Sequence, residues 1–193
     1  MTTFRFTKRL LLSIASIAAG SVLFRAGAQQ IALSTELSGY ADYGTMSAEI
    51  SCSVSRHWSA SAGVRYNPFL YGGGEDGSGV SNRQRAFSAG GRYWLWHVYS
   101  GWWFGGKLQY QEYNRGGISS PQTREGDRIG AGLAAGFTYM ISKHFNLEVS
   151  AGAWGGYDSY RVYDCPVCGL TVEDGQGFFI LPHDLALSLS YLF

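Results

Sequence analysis

Charged residues are scarce in this sequence, and neither sign predominates. Of the 193 residues 15% are charged, with 15 Lys and Arg against 14 Asp and Glu, which gives a formal net charge of +1. Disorder needs low hydrophobicity and high net charge, and nucleic-acid binding usually comes with a basic patch, so neither class is favoured. The mean hydropathy of −0.07 excludes a protein of several membrane helices, although a barrel with polar groups inside would also average near zero.

Long apolar runs are absent beyond the first 28 residues. Within residues 1–28, three basic residues precede an apolar run at 10–24, and Ala-Gly-Ala ends at residue 28. This order is typical of a secretory signal peptide, whereas a membrane anchor helix needs about 20 apolar residues. We expect cleavage after Ala28 and a domain at 29–193 without a transmembrane helix. Its net charge would be −3, because four cations and no acids leave with the peptide.

Helical periodicity is weak in the rest of the chain, and period-two alternation is frequent. Leu187, Leu189 and Tyr191, for example, share one face, while small or polar residues separate them. Alternating segments of roughly ten residues between turn residues are the signature of a membrane β-barrel. The pattern predicts an all-β fold, an eight-stranded antiparallel up-and-down transmembrane β-barrel, with strands at 31–41, 44–54, 59–69, 85–96, 102–113, 127–140, 146–158 and 181–193.

Apart from a tight first connection near Asp42-Tyr43, the predicted connections alternate in length. Short turns at 55–58, 97–101 and 141–145 separate long polar loops at 70–84, 114–126 and 159–180. Outer-membrane barrels have short periplasmic turns and longer outer loops. We therefore expect an outer-membrane protein, surrounded by outer-membrane lipid, whose three long loops are extracellular. Because loops on a rigid scaffold commonly carry binding, these loops would be its functional surface.

Charged residues fall on the face opposite the apolar one. An eight-stranded barrel has an interior only wide enough for side chains, and pairing offsets much of the cost of burying charges there. We therefore expect a salt-bridged, plugged lumen and not a conducting pore. A bulge could misplace two or three members of this predicted network, which comprises Glu36, Glu49, Arg65, Arg92, Lys107, Arg128, Glu148 and Asp184.

Aromatic residues cluster near both ends of the predicted strands. Two aromatic girdles around an apolar band are typical of a membrane barrel, and an ordinary aromatic core is the alternative. The girdles would comprise Trp58, Trp94, Trp96, Trp102 and Trp103 at the short-turn end, and Tyr66, Phe69, Tyr110, Tyr113 and Tyr157 at the long-loop end. The last alternating residues, Leu189, Tyr191 and Phe193, resemble the signal that the barrel-insertion machinery recognises, so this machinery is an expected partner.

Cys165 and Cys168 form a C-x-x-C motif, the clearest candidate for specific chemistry in the sequence. Such a pair can be a redox centre, half a zinc site or a local disulfide. A zinc site needs about four ligands, and the sequence has no second Cys pair, so a disulfide in an exported loop is favoured. Cys52 has lipid-facing parity and is expected to be a free, buried thiol. His57, His97 and His144 each fall in a short turn; turn polarity explains them more simply than a metal site, and we expect no cofactor.

Catalysis has weak support in the sequence. Candidate groups are His183 with Asp184, Ser119 or Ser120, and Asp164, but no recognised catalytic spacing connects them. We expect a non-enzymatic structural or surface-interaction protein that is monomeric and has no nucleic-acid partner. Two alternatives remain open: an outer-membrane lipid-modifying enzyme, and a soluble lipocalin-like binding barrel, which would need an apolar interior.

Several short strings together resemble one known family. They are Tyr66-Asn67-Pro68, Arg92-Tyr93-Trp94-Leu95, Phe104-Gly105-Gly106, Glu112-Tyr113-Asn114, the segment 141–148 and Cys165-Pro166-Val167-Cys168-Gly169. As an ordered set they resemble an uncharacterised family of small exported proteins from Bacteroidota, a domain of unknown function. The resemblance implies an outer-membrane location and, because members accompany surface-fimbria genes in some genomes, a fimbrial protein partner. It implies no reaction.

Overall fold

A computed structural model describes residues 30–71, 79–117, 122–164 and 171–193, except for the side chains of 183–185. The predicted signal peptide therefore lies outside the described residues. Within them, no helix is long and apolar enough to cross a membrane. The elements are β1 (Ile31–Glu36), α1 (Ser38–Ala41), β2 (Met46–Ser55), β3 (Trp58–Asn67), β4 (Leu70–Tyr71), β5 (Val80–Trp94), β6 (Gly101–Gly116), β7 (Thr123–Met140), β8 (Phe145–Tyr163) and β9 (Thr171–Leu192).

The strands form a closed ring of antiparallel pairs. Each strand pairs with its neighbour in the order β3-β2-β1-β9-β8-β7-β6-β5-β4, and β3 also pairs with β5. This last pairing bypasses the two-residue β4, so eight of the nine strands close the ring. Short turns join the strands at one end, which we call the turn end. The other end is the hairpin end, where β5 to β9 run on beyond the tops of β1, β2 and β3.

Strand alternation places polar side chains inside the ring and apolar side chains outside, which is the opposite of the arrangement in a soluble globular protein. Arg92 and Glu148, which are largely buried, point into the ring. Leu108, Leu133 and Ile180 point outward and are 68%, 76% and 84% exposed. Since strand neighbours point to opposite faces, one regular register produces both the polar interior and the apolar exterior.

Several predicted boundaries were wrong. The strand predicted at 31–41 ends at Glu36, where the chain turns into α1, and Tyr43 and Gly44 then adopt positive φ values of 51° and 73°. The predicted long loops contain much strand, because β5 begins at Val80, β6 ends at Gly116 and β7 begins at Thr123. β8 likewise continues to Tyr163 and β9 begins at Thr171. These extensions are polar on their outward face, and polar sequence of this kind is also typical of loops.

A β-bulge divides β9 into two parts. Ser150 pairs with Ala186, but Gly152 pairs with His183, so β9 holds one extra residue there. An extra residue exchanges the two faces of a strand. On the turn-end side of the bulge, β9 has the alternation predicted for 181–193. On the hairpin-end side, Phe178 and Ile180 point outward and are 90% and 84% exposed, while Phe179 points inward and packs on Trp154.

Candidate functional site

A packed aromatic cluster fills the turn end of the ring. Trp94 and Trp103, 0% and 3% exposed, pack with their ring centroids 6.1 Å apart, and the turn between β5 and β6 brings Tyr99 against Trp94. The indole of Trp94 donates to Ser59 Oγ at 3.0 Å, and Asn146 Nδ2 donates to the Tyr99 carbonyl at 2.9 Å. This cluster closes the ring interior at that end. The girdle prediction was wrong for Trp94 and Trp103, which share the inward face with Arg92 and Lys107.

Ion pairs cross the middle of the interior. Arg92 donates to Glu49 at 2.5 Å and to Glu148 at 3.1 Å, so one guanidinium joins three strands. Thr138 donates a further hydrogen bond to Glu148 at 3.0 Å. Because each carboxylate is bonded to a cation or a hydroxyl, the charges offset much of their desolvation cost.

A small cavity lies beside these ion pairs. Its volume is about 120 Å³, and Lys107 and Arg65 are among the residues that line it. Arg65 donates to Glu36 at 2.5 Å on the cavity wall. A cavity of this size with polar walls has room for a few water molecules, so this part of the interior is polar and narrow.

A second charge cluster, near the hairpin end, is centred on Asp158. Arg124 and Arg128 approach its carboxylate at 3.0 and 3.2 Å, and the Tyr113 hydroxyl donates to it at 2.9 Å. The Arg128 guanidinium also lies 3.9 Å from the Tyr113 ring centroid. Tyr113 is only 4% exposed, so its predicted place in a girdle was wrong. Asp158 is absent from the predicted charge network, although it ends the predicted strand 146–158 and has the same parity as Glu148.

The predicted charge network is therefore brought together as two clusters and not one. Six of its members form ion pairs, and Lys107 lines the cavity between paired charges. The side chain of Asp184 lies outside the described residues. The paired members are Glu36, Glu49, Arg65, Arg92, Arg128 and Glu148.

The outward face is ordered in cross-strand rows. One row is apolar or aromatic and runs from β3 to β9 through Val64, Phe87, Tyr110, Ile129, Tyr157 and Phe178. The next row towards the hairpin end is polar and contains Tyr66, Arg85, Glu112, Asp127, Ser159 and Gln176. Tyrosine hydroxyls join the two rows, since Tyr110 donates to Asp127 at 3.2 Å and Tyr157 donates to Gln176. The apolar exterior therefore ends at a sharp boundary.

Seven of the ten predicted girdle residues are exposed; five of these lie on the outward face of a strand, and Trp96 and Phe69 lie between strands. Those exposed by more than a third are Trp58, Trp96, Trp102, Tyr66, Phe69, Tyr110 and Tyr157. At the turn end, Tyr191 and Phe193, from the predicted insertion signal, also point outward with their ring centroids 4.9 Å apart. Leu189 has the same parity.

A polar cleft of about 790 Å³ lies where the strands extend beyond the apolar rows. Arg83, Arg161 and Asp174 line it, and Arg161 pairs with Asp174 at 3.6 Å. Nearby, hydrogen bonding to Glu125 raises the pKa of Tyr163, and hydrogen bonding to Glu173 raises the pKa of Tyr160. Both signs of charge meet in the cleft, so it has no strong preference for an anion or a cation.

The other candidate chemistry is dispersed or lies beyond the described residues. Cys165 and Cys168 lie in segment 165–170, which is outside the described residues. Ser119 and Ser120 lie in segment 118–121, which is also outside them, and the side chains of His183 and Asp184 are not described either. Cys52 is free and lies on the outward face, as its parity predicted, but it is exposed and not buried within the protein.

The histidines do not converge. The ring centroids of His57 and His97 lie 6.4 Å apart, but His144 lies apart from them and stacks on Tyr191. No cluster of metal-ligating side chains occurs within the part of the chain that the structure describes.

Comparison with known proteins identifies a family but no characterised relative. A family model described as a protein of unknown function (DUF3575) matches residues 12–193. No curated protein matches the chain.

Proposed function

The chain belongs to the DUF3575 family of proteins of unknown function, and we propose that it is an integral outer-membrane β-barrel of eight strands with a plugged polar lumen. Its task would be structural or a surface interaction at the hairpin end, without catalysis. The proposal includes export by a signal peptide at 1–28, an extracellular hairpin end and a periplasmic turn end.

The observation that carries this proposal is the inversion of polarity across the ring wall. Outward Leu133 and Phe178 are 76% and 90% exposed, whereas inward Glu148 and Asp158 are 4% and 3% exposed. Water would not stabilise such a continuous apolar exterior, but hydrocarbon would. A closed ring also satisfies the strand backbone internally, as a lipid environment requires. The lipocalin-like alternative needs the opposite arrangement and is not supported.

The height of the apolar exterior agrees with a bilayer. On β7 the outward face is apolar or aromatic from Ile129 to Tyr139. Ten residue steps of about 3.4 Å, tilted by roughly 40° as in known barrels, rise about 26 Å. The apolar band of outer-membrane barrels is about 25 Å tall.

The interior supports a plugged barrel. The Trp94–Trp103 cluster closes the turn end, and Arg92 with its two carboxylates crosses the middle. An eight-stranded ring leaves room inside for side chains only. We therefore propose no solute channel through this protein.

The hairpin end supports a surface role. β5 to β9 project beyond the polar row as paired strands, and a cleft of about 790 Å³ lies among them. The partner would be a protein at the cell surface, and a fimbrial subunit is the partner that family resemblance suggests. Replacement of only the connecting residues 72–78, 118–121 and 165–170 by short turns keeps the strands, and unchanged surface binding after it would contradict this role.

Membrane fractionation combined with gel mobility tests the barrel proposal. We expect the protein to stay with outer membranes through an alkaline wash and to migrate differently in boiled and unboiled detergent samples. The second effect is expected because internally bonded strands resist detergent unfolding. Release into the soluble fraction by the wash, with one mobility in both samples, would contradict it.

A further inference from the structure

The turn end carries basic and imidazole side chains without any acidic side chain to balance them. The three connections at this end, 56–57, 95–100 and 141–144, contain no Asp or Glu. Their ionisable side chains are Arg56, His57, His97, Tyr99, Lys143 and His144. In the described part of the chain, no carboxylate lies within ion-pair distance of Arg56. An anionic partner would therefore complement this end of the protein.

Two of these connections are fixed against each other by hydrogen bonds. The Trp94 amide donates to the His57 carbonyl at 2.8 Å, and the Val98 amide donates to the Arg56 carbonyl at 3.2 Å. The His57 ring adds a third bond, from Nδ1 to the Trp94 carbonyl at 2.9 Å. The β2–β3 and β5–β6 turns therefore form one platform, on which Arg56, His57 and His97 are neighbours.

The three side chains, which we call the turn-end cluster, contact one another. Arg56 Nε donates to His97 Nδ1 at 3.4 Å, and the rings of His57 and His97 stack with centroids 6.4 Å apart. Because His97 accepts this bond through Nδ1, its Nε2 carries the proton and is a donor. The guanidinium of Arg56 has four further N–H donors. The cluster thus offers several hydrogen-bond donors and a positive charge at an exposed surface.

A row of aromatic rings connects the turn-end cluster to the apolar exterior. Trp58 and Tyr93 are cross-strand partners on the outward face, and their ring centroids lie 5.1 Å apart. The Tyr93 ring lies 6.1 Å from the ring of His57, which stacks in turn on His97. Over these contacts the wall changes from indole and phenol to imidazole and then to guanidinium.

This order of groups matches the order of groups in a phospholipid. Aromatic rings of membrane proteins lie at the level of the lipid headgroups, and Trp58 and Tyr93 lie at the turn end of the apolar exterior. The next group of the lipid towards water is the phosphate, whose oxygens are acceptors. A guanidinium binds phosphate through several N–H groups, and basic residues near a membrane surface attract anionic lipids.

We propose that the turn-end cluster binds the phosphate of an anionic phospholipid in the inner leaflet. Arg56 and His97 donate to the phosphate oxygens, and His57 holds the ring of His97 in place by stacking. The glycerol and the first part of an acyl chain lie against Trp58 and Tyr93. These aromatic contacts favour a phospholipid over inorganic phosphate, which has no apolar part. The inference rests on the proposed function, because lipid must surround the apolar exterior.

Native mass spectrometry of the folded protein in detergent tests the site. The protein is incubated with equal amounts of phosphatidylglycerol and phosphatidylcholine, which share a phosphodiester, although choline adds a positive charge. We expect phosphatidylglycerol to be bound in preference by about fivefold, the effect of one basic residue near anionic lipid.

Three variants and a matched control locate the bound lipid. Arg56→Gln should bring the two lipids to equal occupancy, whereas Arg56→Lys keeps the charge and should retain most of the preference. His97→Phe keeps a flat ring against His57 but has no donor, so it should reduce the preference. Arg85→Gln removes an exposed arginine from the hairpin end and should leave the preference unchanged.

The outcomes that overturn the site are distinct from those that contradict the barrel. Equal binding of both lipids to the parent protein, a preference that survives Arg56→Gln, or an equal loss in Arg85→Gln would overturn it. Displacement of the lipid by excess inorganic phosphate would show a site for free phosphate instead. Each sample is also compared boiled and unboiled on a gel. A parent protein with one mobility in both would contradict the membrane barrel, whereas a mobility shift without lipid preference would contradict this site alone.

Discussion

Arg92 illustrates how much a single inward residue stabilises this ring. Its guanidinium bonds Glu49 and Glu148, and the side chain of Glu148 is only 6% exposed. Removing one partner from a buried ion pair leaves an uncompensated charge and costs about 3–5 kcal/mol. We expect Arg92→Met to lower the free energy of unfolding by that amount, measured by urea unfolding in detergent with tryptophan fluorescence.

Arg85→Met is the matched control for this prediction. Arg85 also faces a glutamate, Glu112, but at 3.8 Å and with side chains that are 57% and 46% exposed. Exposed pairs contribute about 0–1 kcal/mol, so the unfolding curve should shift little. Equal losses in the two variants would show that the interior pair is no stronger than a surface pair.

At the residue scale, parity predicts both the interior charges and the buried aromatic residues beside them. The charge network could be predicted because Glu49, Arg65 and Arg92 alternate with apolar neighbours. The same parity places Trp94 beside Arg92 and Tyr113 on the face of Lys107, so the prediction that these two aromatics belong to girdles was wrong. Large, hydrophobic aromatic side chains are suited both to an interior plug and to a membrane girdle. Only the face that they share with the interior charges shows that these ones form a plug.

At the element scale, the turn between β5 and β6 depends on one glycine. Gly101 has a φ of +74°, and a Cβ there would lie 2.3 Å from the Trp96 ring. A left-handed conformation alone costs a non-glycine residue roughly 1–2 kcal/mol, and this contact adds to it. We expect Gly101→Ala to lower the unfolding free energy by at least about 1–2 kcal/mol, as a shift in the urea midpoint.

Gly91→Ala serves as the comparison within β5. A Cβ at Gly91 would meet only the Ser59 carbonyl oxygen at 3.5 Å, an ordinary contact. Alanine is favoured over glycine in a strand by roughly 0.5–1 kcal/mol, so this change should be neutral or stabilising. If Gly91→Ala destabilised the protein as much as Gly101→Ala, the turn would not be the sensitive element.

Strand existence was predictable, but strand ends were not. Alternation predicted the antiparallel β-sheet, because a long stretch of one face of each ring strand is apolar. Beyond the apolar rows, the hairpins are held by backbone pairing and carry polar residues such as Glu112, Asp127 and Ser159. Polar sequence is equally typical of a loop, so composition could not separate the two. The β9 bulge could not be predicted from the sequence either, because one extra residue changes the parity of a strand without changing its composition.

At the scale of the whole molecule, the scarcity of charge is a consequence of geometry. A ring of eight strands has little interior volume, and its exterior rows are apolar down to the turn end. Charges therefore concentrate in two interior clusters and on the hairpin extensions. In the proposed barrel, the same arrangement faces lipid outside and closes the lumen inside.

Site-directed spin labelling along β7 tests the central claim, that the outward face contacts lipid. Single cysteines are introduced one at a time from Ile129 to Phe137, with Cys52, Cys165 and Cys168 replaced by serine, and the protein is reconstituted in vesicles. Labels at outward positions such as Ala131 and Leu133 should collide with oxygen, which concentrates in lipid, and be shielded from a water-soluble nickel complex. Inward positions should lack this oxygen preference, which gives a period of two. Outward labels that the nickel complex reaches freely would contradict a membrane-spanning ring.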